Sequence, residues 1–119
     1  MCDITPAMAE AVERWREVRT HVIRVMLSEA SHKHLSLVSS LNKIIAEHDR
    51  LIETIKRLQS RIDKGESYGQ AHGTAMDRAA GLALKREELP PLIRAQATIT
   101  RYLTAELTAL EITGVLHAT

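Results

Sequence analysis

Glu29 and His32 stand three residues apart, and on a helix that step turns a carboxylate and an imidazole to the same side. It is the ligand spacing of carboxylate-bridged dimetal bundles, which need two such steps and further inward-facing Glu residues. This chain holds only one, so a metal-binding helical bundle would require two chains, with His48 as a further candidate ligand. His32 and His34, two residues apart, point in different directions on a helix and do not make a zinc pair. No cofactor is expected.

Arg14, Arg16, Arg19 and Arg24 offer a second chemistry, a basic strip that could touch phosphates, and Lys56, Arg57, Arg61 and Lys64 crowd a later stretch. A dimeric nucleic-acid-associated regulator, of the kind phages and plasmids encode, is the corresponding alternative function. Against it, Glu10, Glu13, Glu17, Glu53 and Asp63 are interspersed with these cations, and aromatics for stacking make up only 3% of the chain. Mixed charge of this kind marks a solvated, salt-bridged helix face. The formal net charge of +1 leaves no bulk attraction for nucleic acid or an anionic membrane.

Enzyme signatures are missing. There is no P-loop, dinucleotide glycine fingerprint, Gly-x-Ser-x-Gly or His-Glu-x-x-His, and the single cysteine, Cys2, sits too near the start for a nucleophile. An enzyme is therefore not expected. One cysteine excludes an intramolecular disulfide framework and fits a reducing compartment. Neither a basic leader with a long apolar run nor about eighteen consecutive apolar residues occurs, so a cytoplasmic protein without membrane contact is expected.

The elements that would carry these residues are helices. Leu37, Leu41, Ile44, His48, Leu51, Ile55, Leu58 and Ile62 alternate strictly between steps of four and three residues, an unbroken heptad stripe. Val38, Ile45 and Ile52 widen it to three apolar positions per heptad, which suits a bundle better than a two-stranded zipper. His48 is the one polar residue on the stripe. It sets register or lies at a bundle edge, and two His48 side chains meeting across a symmetric interface would repel on protonation.

Thr5 and Pro6 form a helix start, with Thr as cap and Pro where its missing N–H does no harm. Met8, Val12, Trp15, Val18, Val22 and Met26 follow at near-helical spacing, and Met26 lies eleven residues, three turns, before Leu37. The sequence thus predicts one long helix or a helix pair over about 6–64, the two stripes joined by a stutter. Trp15 is either a core residue or an interface anchor.

Gly65 closes that helix and opens a glycine loop over 65–73. Thr74 and Asp77 have capping-box spacing for a short Ala-rich helix over about 75–89. Pro90 and Pro91 predict a turn or sharp kink, and Leu92, Ile93, Ile99, Leu103, Leu107 and Leu110 give a last helix, about 91–113, one apolar face that ends at Gly114, after which the last five residues fray. The expected fold is all-α, a long helical hairpin or bundle with coiled-coil character in one domain. Fifteen alanines and no Phe make its core thin, so oligomerisation is expected to complete it.

The function expected from these features is a small helical protein–protein interaction module. It would be a dimeric adaptor or a chaperone-like protein that packs an amphipathic helix of a partner or of itself, with Trp15, Leu41, Ile44, His48, Leu51, Ile55 and Leu58 at the interface. Its size and helix content are similar to those of flagellar and type III secretion export chaperones, a likeness of architecture without a shared motif.

Overall fold

The structure is a computed structural model that describes residues 5–118, with side chains described for residues 5–113. Cys2 lies outside the described residues. The fold is an all-α helical hairpin of two helices, α1 (Pro6–Asp63, 58 residues) and α2 (Gly69–Ala118, 50 residues).

Both ends of α1 follow from local chemistry. The Met8 amide donates to Thr5 Oγ1 at 3.2 Å, which places Thr5 at the cap and Pro6 at the first helical position. At the other end Gly65 has φ +87°, its amide donates to the Ile62 carbonyl at 2.9 Å, and the Glu66 amide reaches the Arg61 carbonyl at 3.1 Å. That pair of bonds is the Schellman closure, in which a left-handed residue lets the chain turn back on the last carbonyls. Between the ends α1 is unbroken, so the Ser- and His-rich stretch 28–34 does not interrupt it.

Three expectations for the second half are overturned. First, the loop is shorter than 65–73. The Tyr68 carbonyl accepts from the His72 amide at 2.9 Å and α2 already begins at Gly69, with Tyr68 held by a 3.2 Å hydrogen bond from Arg61 Nη1 and by the Arg61 guanidinium 5.4 Å from its ring centroid. Thr74 is consequently inside the helix and caps nothing; its hydroxyl donates to the Gln70 carbonyl at 3.0 Å. Second, α2 runs through Pro90 and Pro91. The prolines remove two donors but not the packing of Leu89, Pro90 and Ile93, all half-buried, and the flanking run 82–89 is rich in good helix formers. Third, Gly114 does not end the helix, which continues to Ala118, so four of the five residues expected to fray are helical.

The chain packs as two compact units, Met1–His34 with Gln96–Thr119, and Leu35–Ala95, where the sequence shows no internal boundary. In the first unit Ile23 is fully buried and packs with Ala30 and Leu103, joined by Leu27, Leu107 and Leu110. Gln96, also buried, donates from Nε2 to the Ala30 carbonyl at 3.2 Å. In the second unit the buried side chains are Ala75, Ala79 and Leu82, all from α2, whereas every heptad residue from Leu37 to Ile62 is only half-buried. Alanines facing a three-column apolar surface are too small to cover it.

Gly65 and Gly81 should respond oppositely to alanine. Gly65→Ala places a Cβ in the left-handed region and is expected to destabilise the chain by about 1 kcal/mol. Gly81, in mid-α2 with open space around it, is expected to stabilise by about 0.5–1 kcal/mol on the same change. Urea midpoints of the two variants check this, and equal shifts would contradict the closure described here.

Candidate functional site

The first apolar stripe and the heptad stripe do not form one continuous face. Continued backwards from Leu37, the strict alternation of four and three runs through His34, Ala30, Leu27, Ile23, Thr20, Arg16 and Glu13. Every one of these is buried or half-buried, and Ile23 has no exposed surface at all. This is the seam by which α1 packs in its own hairpin.

Met8, Ala11, Trp15, Val18, Val22 and Val25 form a second seam with the same alternation, three and four. Its mean direction lies about 130° around the helix from the first, at 3.6 residues per turn. It is exposed throughout, with Met8 57%, Trp15 60% and Val18 64% accessible. Flanking Val12 and Met26 are exposed as well. The stutter that would merge the two stripes is thus replaced by two parallel seams, only one of them satisfied.

The second seam lies beside α2. Arg19, next to Val18, donates from Nε and Nη2 to the two carboxylate oxygens of Glu106 at 2.9 and 3.2 Å. Trp15 and Val12 line an apolar groove with Ala9, Leu110 and Thr113. One helical turn before Glu106, Tyr102 is 73% exposed, and Ile99 is exposed near it. An exposed tryptophan within a run of valines is the composition of a contact surface.

The other candidate residues are placed as follows. Arg14 lies 3.9 Å from Glu10, Arg16 is bound by Glu13, and Arg24 reaches Glu111 at 3.3 Å. The hydrogen bonds that Arg16 donates to Glu13 raise the Arg16 pKa further above its ordinary value. With Arg19 on Glu106, all four arginines of the candidate strip therefore face carboxylates. Glu29 and His32 are exposed, and among the described residues no three His, Cys, Asp or Glu side chains are grouped to hold a metal.

His48 is half-buried and faces Arg86, whose Nη1 lies 3.2 Å from His48 Nδ1 and 3.4 Å from Asp49 Oδ1. Arginine only donates, so His48 Nδ1 accepts and its proton sits on Nε2. Leu41, Ile44, Leu51, Ile55 and Leu58 share the half-buried face of the second unit. Leu51 borders a shallow groove with Tyr68, Ala75 and Arg78, and Ile55 another with His72 and Met76. His34 Nδ1 is buried without a hydrogen bond. Thr100, Thr104 and Thr108 return their hydroxyl protons to the carbonyls of Gln96, Thr100 and Thr104 at 3.1, 2.8 and 2.9 Å, a use internal to α2.

Compared with known protein families, curated proteins and solved structures, the chain matches none. No helix among the described residues is long and apolar enough to cross a membrane.

Signals for the second seam were present in the residue spacing. Val25 and Ala11 complete its alternation, but Val12 and Met26 draw attention to a looser period, and His34, Thr20, Arg16 and Glu13 disguise the first seam with polar side chains. Glu106 as partner of Arg19 follows only from the register of the hairpin.

The fork between Arg19 and Glu106 is partly exposed, at 38% and 42% of the side chains. A double-mutant cycle with alanine at both positions should give a coupling of about 0.5–1 kcal/mol, reduced in 1 M salt. A coupling of zero at low salt would contradict the observed register.

Proposed function

We propose that this chain is a small helical protein–protein interaction module that offers the exposed seam of α1 to an amphipathic helix, of a partner or of a second copy. The observation that carries this reading is the run Met8, Ala11, Trp15, Val18, Val22, Val25, apolar at coiled-coil spacing yet uncovered. Helices whose apolar faces meet this way are a recurrent mode of recognition, read through anchors three and four residues apart. An adaptor or export-chaperone-like role falls within the same reading, since each holds an amphipathic segment against a helical surface. The absence of an apolar spanning helix among the described residues and the single cysteine support a cytoplasmic setting.

The basic strip gives less support to nucleic-acid binding, because its four arginines already face Glu10, Glu13, Glu106 and Glu111. The half-buried heptad face at Leu41, Ile44, Leu51, Ile55 and Leu58 supplies a second apolar surface for the same kind of contact.

A photo-crosslinking residue at Val18 in the native cell, with the same residue at exposed Ser31 as control, tests the reading. Discrete protein adducts are expected from position 18 and not from 31, and they should disappear when Trp15→Asp is added. Equal labelling at both positions, or none at 18, would contradict it.

A further inference from the structure

We infer that the occupant of the α1 seam is a second copy of the same seam, running antiparallel about a two-fold axis that passes between Trp15 and Val18. This rests on the interaction-module reading and names its partner. Three observations converge on it.

The first is self-complementarity. In an antiparallel coiled coil the two core positions face each other across the interface. Laid against itself in reverse, the seam pairs Met8 with Val25, Ala11 with Val22 and Trp15 with Val18, so each residue meets one of the other core class and nothing is left over. The large indole then faces a valine rather than a second indole. The seam spans 18 residues, about 27 Å of helix.

Charge decides between the two orientations. With Met8, Trp15 and Val22 in one core position and Ala11, Val18 and Val25 in the other, Arg14 and Arg19 flank the seam on opposite sides. A parallel pair in register would set Arg14 of each copy against Arg19 of the other, two contacts between like charges. The antiparallel pair instead sets Arg14 against His21 of the second copy and Arg19 against its Val12, each contact occurring twice by symmetry, so that no two arginines face each other. Arg19 remains with Glu106 in its own chain.

Area is the third. The chain exposes 9037 Å², whereas a globular monomer of its 13.3 kDa mass exposes about 6,500 Å². A standard stable interface takes about 800 Å² from each partner. The surplus of about 2,500 Å² exceeds that by far, and it includes Met8, Trp15 and Val18 of the seam.

The symmetric pairing also gives the exposed Trp15 a physical purpose. Trp15 and Val12 border the groove to Leu110 and Thr113, so a helix seated on the seam covers the mouth of that groove as well as the seam.

The test is sedimentation equilibrium of the full chain from about 1 to 200 μM, bracketing ordinary affinities, combined with directed disulfides. Twice the 13.3 kDa chain mass is expected, and Val18→Glu, on an exposed position that the hairpin does not need, should keep its helical circular dichroism while self-association weakens about hundredfold or more. With Cys2→Ser as background, Met8→Cys and Val25→Cys chains should form a disulfide only when mixed, never each alone. Self-crosslinking of either single variant would overturn the antiparallel pairing. A monomer at every concentration would overturn the second copy as occupant. Should that monomer still give adducts at Val18 in the cell, the interaction-module reading survives its partner; without adducts both fall.

Discussion

A helix can bury one stripe against one neighbour, and α1 carries two. Within the hairpin, α2 covers the seam around Ile23 and Ala30 and half-covers its continuation to Ile62, and among the described residues no further element covers the seam from Met8 to Val25. The remaining features of the molecule follow from that mismatch between apolar faces and helices available to cover them. Among the described residues Ile23 is the only large side chain fully withdrawn from water, while Trp15, a residue with far more to gain from burial, stands mostly outside.

The composition of α2 sharpens the mismatch. Its contact side in the second unit buries Ala75, Ala79 and Leu82, which permit close approach of the backbones but supply little volume. The three-column face of α1 opposite them stays half-buried, with Arg86, Arg78 and Tyr68 filling its edges. Charged groups meanwhile act chiefly as register marks. Arg19 with Glu106, Arg24 with Glu111, Arg78 with Glu47 and Arg86 with His48 and Asp49 pair residues on α1 with residues on α2 at four places along the hairpin. Each is partly exposed and individually worth little, but a slip of either helix would break them together.

The fold class, the Thr5 cap and the Gly65 closure were legible in the residues because each depends on neighbours within a few positions. The unbroken α2 was not. Gly69, Gly73, Pro90 and Pro91 all signal interruption locally, and it is packing along the hairpin that overrides them. The division of α1 into two seams was half legible. The heptads from Leu37 onward are apolar and plain to see, but their continuation toward the start passes through His34, Thr20, Arg16 and Glu13, whose place on the buried side depends on Gln96, Leu103 and Leu107 arriving from about seventy residues away. Sequence periodicity locates an apolar stripe; it does not say which of two stripes the chain itself will cover. The pairing of Arg86 with His48 was hidden for the same reason.

The sole tryptophan sits in the middle of the uncovered seam, so its fluorescence reads the central claim directly. On raising the concentration of the full chain, Trp15 emission should shift to shorter wavelength and its acrylamide quenching should fall as the indole enters a helix–helix contact. Emission that stays at the solvent-exposed position and remains fully quenchable at every concentration, with no cellular partner changing it, would contradict the account.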